Sequence, residues 1–170
     1  MTRTSMWVPV VLVAAAAGAA RAADPPGLKD LAPAGLRVGV AINRAQAAGS
    51  DPVALAIVGR HFDQVTPEND LKWERVHPEP GRFDFEPADR FVEFGRSRGM
   101  FVVGHVLLWH QQTPAWVFAG KDGRTLDRET ALARLKEHVD AVVGRYKGRI
   151  DGEDVVNEAL EEDGAQRQTP

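Results

Sequence analysis

The sequence predicts an α/β fold in which a parallel sheet is built as a (β/α)8 barrel. The first observation is that short apolar segments alternate with segments of helical periodicity from Arg37 onward, which is the pattern of βαβ units. The second is that polar residues follow successive strand candidates at their carboxyl ends, where barrels carry their active sites. The alternative, a doubly wound nucleotide-binding sheet, would show a glycine-rich turn after its first strand, where this chain has AINRAQAAGS.

Each strand and the first helix are predicted from their local patterns. The strand candidates are short and rich in apolar residues, and they lie at residues 37–43, 61–69, 101–110 and 153–159. The third is almost wholly apolar, as expected of a strand that is buried on both faces. The first helix, at residues 52–60, begins with a proline that suits a first helical turn.

The next two helices are predicted from residue spacing. Phe91, Phe94 and Gly95 recur at helical intervals, and Gly99 fits the end of that helix. Across residues 128–146 the apolar side chains fall on one face of a helix, namely Leu132, Leu135, Val139, Val142, Val143 and Tyr146. The last ten residues carry no apolar side chain beyond Ala165, so a loop is predicted there.

The first 22 residues are predicted to be a secretory signal peptide. Arg3 gives a basic start, residues 6–20 form an apolar run without charge, and small residues fit a cleavage after Ala22. A membrane anchor is disfavoured because the run is shorter than the ~20 residues that a span needs. We therefore expect secretion to the periplasm or the extracellular medium, with a lead-in segment at residues 23–36 and one domain at residues 37–170.

Composition argues against several classes of partner. The chain has 21 basic and 24 acidic residues without a basic run, so nucleic acid and anionic membrane surfaces are poor partners. It has no cysteine, so core packing alone must stabilise an exported domain. A zinc site is disfavoured because His105 and His110 would point to opposite faces of a strand and no HExxH spacing occurs. We expect no metal and no cofactor.

The segment TPENDLKW follows the second strand candidate and has two explanations. Asn69 or Asp70 capping a short helix accounts for the segment when it is taken alone. The functional explanation is a polar cluster of Glu68, Asn69 and Lys72 that hydrogen-bonds several hydroxyl groups.

The segment GHVLLWHQQTPAW crowds two His, two Trp and two Gln around the end of the third strand candidate. Polar side chains are costly to leave unpaired when they are buried. An aromatic face that stacks on a sugar ring, with polar groups for its hydroxyls, suits this composition. The remaining histidines have no such neighbours and are predicted to be surface or satisfied structural residues, namely His61, His77 and His138.

The segment DVVNEAL closes the set with Asn157 and Glu158 at the end of the fourth strand candidate. A helix cap at Asn157 is again the simpler alternative. However, Glu158 leaves an apolar strand on the same rim as the other two clusters. Glycoside hydrolysis uses a carboxylic acid to protonate the leaving oxygen, opposite a second carboxylate, and Glu158 is the candidate for that acid.

Four segments in order resemble the N-terminal half of glycoside hydrolase family 10, the secreted endo-1,4-β-xylanases of (β/α)8 barrel fold. They are FDQVTPENDLKWERVHPEPGRFDFEPADRFVEFGRSRGM, GHVLLWHQQTPAW, RYKGRI and DVVNEAL. The resemblance runs from about Val38 to the end of the chain. It implies an enzyme that hydrolyses xylan or xylo-oligosaccharides, and we expect the full-length protein to be a monomer.

The resemblance also implies roles for individual residues. Glu158 matches the general acid/base, and Asn157 matches the residue that hydrogen-bonds the sugar 2-hydroxyl beside the cleaved bond. The residues that match the xylose subsite on the non-reducing side are Glu68, Asn69, Lys72, His105, Trp109 and Gln112. The family reaction retains anomeric configuration through a covalent glycosyl-enzyme, which needs two carboxylates ~5–5.5 Å apart.

Two departures from the family pattern are expected to matter. Glu153 stands where the family usually has Trp, and a charge within a barrel strand must find a partner or reach solvent. The family's nucleophile is a Glu on a strand beyond position 170, so we expect this chain to be an N-terminal fragment that lacks it, since a barrel takes ~250 residues. The alternatives are a non-catalytic half-barrel that binds xylan and a β-1,4-glucanase.

Overall fold

Parallel β-strands form the centre of the structure, a computed structural model in which residues 24–120 and 122–168 are described. In chain order the strands are β1 (Gly39–Ile42), β2 (Gln64–Pro67), β3 (Phe101–Gly104), β4 (Leu108–Trp109), β5 (Gly152–Glu153) and β6 (Val156–Asn157). Four of them form one sheet in the order β1-β2-β3-β5, and β4 pairs with β6. Every pair is parallel, which confirms the predicted βαβ architecture.

Helices connect the strands. They are α1 (Leu28–Leu31), α2 (Arg44–Ala47), α3 (Pro52–His61), α4 (Trp73–Val76), α5 (Glu86–Ser97) and α6 (Arg128–Tyr146), with a 3-10 turn at Ala115–Val117. The predictions of α3, α5 and α6 are confirmed, and α6 has the predicted bounds. Within the described ranges no helix is long and apolar enough to cross a membrane. The predicted signal peptide lies outside those ranges.

The core lies between the sheet and the helices. Val65 of β2 and Val102 of β3 are fully buried against Phe91 and Val92 of α5. Gly95 allows this close packing, because a Cβ atom there would come within 2.6 Å of a Val102 methyl group and 2.9 Å of a Val65 methyl group. The helical spacing predicted for this segment therefore brings its smallest residue directly against the sheet.

The prediction of two long strands at residues 101–110 and 153–159 is wrong. Gly104 pairs with Glu153, and Leu108 pairs with Val156. Between these two pairs the first segment advances by four residues and the second by three. The additional residue is accommodated by a bulge in which the peptide bond between residues 105 and 106 is cis. Bulges re-aim side chains and are frequent beside active sites. Their presence is not encoded in apolar periodicity.

Several apolar side chains of the fourth strand candidate and of α6 are exposed. Val155 and Val156 are 60% and 52% exposed, because β5 and β6 each lie at the edge of their sheet and no described residue covers the outer side. On α6, Leu132 and Val143 are each 44% exposed. Of the apolar residues predicted to share one face of this helix, Val142 and Tyr146 are buried, and His138 is buried with them.

Two histidines that were predicted to be surface or satisfied residues are buried without hydrogen bonds. His77 and His138 are fully buried, and their ring nitrogens have no partner among the described residues. His138 stacks on Trp73 with ring centroids 3.9 Å apart. Burial, and then the proximity of His77, lower the pKa of His138 to about 3. Both histidines therefore pack as neutral aromatic rings. His61 does accept a hydrogen bond, from the Leu28 amide at 3.2 Å.

Candidate active site

The predicted site residues lie on one rim of the sheet, at the carboxyl ends of its strands. Glu68 and Asn69 follow β2, and His105 follows β3. Asn157 ends β6, and Glu158 follows it. Loops that meet at this edge of a parallel sheet form the usual location of an active site in barrels. The predicted convergence of the three polar clusters is therefore observed.

Lys72 lies at the centre of a group of side chains that also contains Asn69, Gln112 and Trp109 and that we call the Lys72 cluster. Its ammonium group donates to Oδ1 of Asn69 at 3.0 Å and to Oε1 of Gln112, and it lies 4.7 Å from the centre of the Trp109 ring. Gln112 in turn donates to Glu74 Oε1 at 3.2 Å. Burial lowers the pKa of Lys72, since its side chain is removed from water. Four predicted residues are thus held in one hydrogen-bonded and cation–π cluster.

Glu158 lies beside this cluster and contacts it through Trp109. The indole Nε1 of Trp109 donates to Oε2 of Glu158 at 2.9 Å, and Nδ1 of His110 lies 3.6 Å from the same oxygen. The backbone of Glu158 is left-handed, with φ of 52°, which costs an L-residue roughly 1–2 kcal/mol. Its side chain is 47% exposed, so a bound molecule can reach the carboxyl group. An accessible carboxyl group oriented by an indole can transfer a proton.

His105 is oriented by a carboxylate that was not predicted. Its Nδ1 lies 2.9 Å from Oδ2 of Asp154, a residue of the bulge that had been given no role. The parallel register places residue 105 opposite residue 154, since Gly104 pairs with Glu153. Register is therefore the signal that would have identified Asp154. An imidazole held in this way presents its other nitrogen in a fixed direction.

Glu153 is half-buried in the strand next to this pair. Its carboxyl group packs over Gly104, where a Cβ atom would overlap it. Burial, and then the charge of Asp154, raise the pKa of Glu153 to about 7. Of the two expectations for this side chain, a partner or access to solvent, no hydrogen-bond partner occurs among the described residues, and the side chain is partly exposed. The carboxyl group fits at this position because Gly104 has no side chain.

Two predicted residues, Glu68 and Asn157, have no side-chain hydrogen bond to any described residue. Glu68 is exposed, and its charge acts on Lys72. Asn157 lies opposite Trp109 in the β4–β6 pair. A pocket of about 220 Å³ opens beside Asn157 and is lined in part by Trp109, Glu158 and Arg167. Arg167 was not predicted, because it lies in the polar tail that showed no recognisable pattern.

Comparison of the sequence with profiles of known families shows which family the chain belongs to. The profile of Glycosyl hydrolase family 10 matches residues 27–170, a range that contains every strand and every site residue described above. The chain belongs to glycosyl hydrolase family 10. Its parallel strands and connecting helices are accordingly roughly the first four βα units of a (β/α)8 barrel.

Relatives in family 10 are similar over most of this chain. Endo-1,4-beta-xylanase A of Xylanibacter ruminicola is 41% identical over 152 residues, which cover 89% of this chain and 41% of that protein. Endo-1,4-beta-xylanase B of Paenibacillus barcinonensis is 51% identical over 105 residues, or 62% of this chain and 32% of that protein. A GH10 endoxylanase structure from a sugarcane soil metagenome aligns with a TM-score of 0.80 at 41% identity, over 86% of this chain and 44% of that one. The chain spans less than half the length of these relatives.

Proposed function

We propose that the protein is an endo-1,4-β-xylanase that hydrolyses internal β-1,4-xylosidic bonds of xylan with retention of configuration. The observation that carries the proposal is the contact between Glu158 and Trp109, which joins an accessible carboxyl group to the Lys72 cluster. The names of its family 10 relatives support xylan as the substrate. We further propose export through residues 1–22 and a monomeric full-length enzyme.

In the proposed reaction Glu158 is the general acid/base. Its carboxyl group protonates the leaving glycosidic oxygen and then removes a proton from the attacking water. The Trp109 indole holds Oε2, which leaves the other carboxyl oxygen for the substrate. The retaining reaction also needs a carboxylate nucleophile ~5–5.5 Å away. The family resemblance assigns that role to a strand after position 170, so we give it to no residue of this chain.

The Lys72 cluster is proposed to bind the xylose unit on the non-reducing side of the cleaved bond. Lys72 supplies a donor, and the amides of Asn69 and Gln112 supply donors and acceptors for hydroxyl groups. Glu68 is exposed on the same rim and adds a further acceptor. Asn157 and His105 complete the group beside Glu158. The existing hydrogen bonds hold Lys72, Asn69 and Gln112 in place before a sugar arrives, which reduces the entropy lost on binding.

Replacement of the proposed acid tests the assignment. In a form of the protein that carries the whole barrel, Glu158→Ala should lower turnover on xylan by about 10²–10⁴-fold with little change in binding, because general acid catalysis is removed. The loss should be much smaller for an aryl xyloside whose phenolate leaves without a proton. Glu162→Ala is the matched control, since Glu162 is an exposed carboxylate in the same loop. Near-normal turnover of xylan by the Glu158 variant would exclude Glu158 as the acid, and binding without any parental hydrolysis would favour the non-catalytic alternative.

A further inference from the structure

The loop after Glu158 folds back toward β6, the strand that ends immediately before this residue. The amide of Arg167 donates to the carbonyl of Ala159 at 2.9 Å, and Leu160 forms an isolated bridge with Gln166. The end of this loop therefore lies next to the backbone carbonyl groups of the residues that immediately follow β6.

From this loop the guanidinium group of Arg167 contacts the backbone of Glu158 and of Leu160. Its Nε donates to the backbone carbonyl of Glu158 at 2.8 Å, and its Nη2 lies 3.4 Å from the carbonyl of Leu160. Its Nη1 lies 3.1 Å from Oε2 of Glu161, and the side chain is 22% exposed. A planar guanidinium group that donates in three directions has little freedom to move.

The backbone that Arg167 contacts is in a conformation that L-residues rarely adopt. Glu158 has a positive φ of 52°, whereas the neighbouring residues Asn157 and Ala159 do not have a positive φ. Strained residues persist where the surrounding structure holds them in place. The left-handed conformation also sets the direction of the Glu158 side chain, which meets the indole of Trp109 at 2.9 Å.

We propose that Arg167 is a positioning residue for Glu158. Its guanidinium group holds the Glu158 carbonyl and so fixes the left-handed backbone that directs the carboxyl group to Trp109. The inference rests on the proposed function only in treating Glu158 as the general acid/base, because the contacts of Arg167 do not depend on catalysis. Lysine at this position could supply the charge but not the three directed donors.

The hydrogen bond of the Trp109 indole reports on this arrangement. Ultraviolet resonance Raman spectra of the form that carries the whole barrel contain a band that is sensitive to indole hydrogen bonding, and subtraction of a Trp109→Phe spectrum isolates the contribution of Trp109. Arg167→Met should remove most of its hydrogen-bonded component, and Arg167→Lys should restore only a minor part. Arg124→Met is the matched control and should change nothing, since the Arg124 side chain is 88% exposed and, within the described ranges, its guanidinium group pairs with Asp122.

Several outcomes would overturn the proposal. They are an unchanged Trp109 band in Arg167→Met, full restoration by lysine, and a change that merely follows global unfolding measured by circular dichroism. If Arg167→Met does not fold, Glu161→Gln releases one side of the guanidinium group and should shift the band in the same direction by less. Xylan hydrolysis is assayed separately on the parental protein in the form that carries the whole barrel. An altered band in Arg167→Met without parental hydrolysis counts against the proposed function alone, and parental hydrolysis with an unaltered band counts against Arg167 alone.

Discussion

At the scale of single residues, Glu153 shows how a carboxyl group is accommodated within a parallel strand. The carboxyl group is half-buried over Gly104, and burial together with Asp154 raises its pKa to about 7. A glutamic acid normally releases its proton at a pH near 4.3. The folded chain therefore holds a proton on Glu153 over a pH range in which the unfolded chain has lost it.

This proton makes the stability of the chain pH-dependent in a defined direction. The contribution of Glu153 is present below pH ~4.3 and is lost as the pH rises toward 7, by up to about 1.4 kcal/mol per pH unit. Glu153→Gln should therefore raise the free energy of unfolding at pH 8 by roughly 1–3 kcal/mol and have little effect at pH 4. Urea unfolding of the parental protein and the variant, both in the form that carries the whole barrel, measures the difference at the two pH values.

Glu162→Gln is the control for the Glu153 experiment, because Glu162 is exposed. It should leave the free energy of unfolding unchanged at both pH values. An equal gain from Glu153→Gln at pH 4 and pH 8 would show that the carboxyl group is not held in its protonated form.

At the scale of elements, α5 and α6 are joined by one carboxylate. Asp89 of α5 accepts hydrogen bonds from Arg145 at 2.8 Å and from the hydroxyl of Tyr146 at 3.1 Å, both on α6. The hydrogen bond from Arg145 is the main reason that the pKa of Asp89 is lowered. Because these helices lie far apart in the sequence, this contact stabilises their packing on the sheet and not either helix alone.

Asp89→Ala should destabilise the packing of the two helices. We expect the free energy of unfolding at pH 7 to fall by roughly 1–3 kcal/mol, because a charged acceptor is removed and the Tyr146 hydroxyl loses its partner. The loss should shrink at low pH, since the stability that comes from a lowered folded-state pKa is complete above the unfolded pKa of about 3.9 and declines as the pH falls toward the folded pKa. Chemical unfolding at pH 7 and pH 3, in the form that carries the whole barrel, tests both statements.

A matched pair on α5 serves as the control for Asp89. Glu86 pairs with Arg90 one turn along the same helix, and its side chain is 78% exposed. Glu86→Ala should cost less than about 0.5 kcal/mol, as exposed ion pairs usually do. Equal losses in the two variants would mean that the contact between helices contributes no more than an exposed pair.

At the scale of the whole molecule, the edge of the sheet is open at β5 and β6. Val155, Val156 and Leu160 are each more than half exposed along this edge. Exposed strand edges with apolar side chains pair readily with other chains. We therefore expect residues 23–170, produced alone, to self-associate or precipitate and to release no reducing sugar from xylan.

A charge on this edge should reduce the association. Val156→Lys should shift the chain toward monomer in size-exclusion chromatography with light scattering, because lysine on an edge strand opposes pairing. Val53→Lys is the control, as Val53 is 73% exposed on α3, away from the edge. A monomeric parental chain that unfolds cooperatively and hydrolyses xylan would contradict the expectation.

The sequence by itself determined the alternation of strands and helices and the residue types on the rim. Periodicity identifies α6 and the spacing of Phe91 and Gly95, because these patterns depend on which local face is apolar. The position of Glu158 after an apolar strand likewise follows from local order, as does that of Lys72 in its loop.

Only the tertiary structure decided the bulge, the burial of His138, and the pairs that His105 and Glu158 form. Asp154 and Arg167 act on these residues through strand register and a returning loop. Such contacts depend on how distant segments are aligned, and a one-residue shift in register changes every one of them. Local apolar patterns contain no information about that alignment, so the rim was predictable from the sequence and its geometry was not.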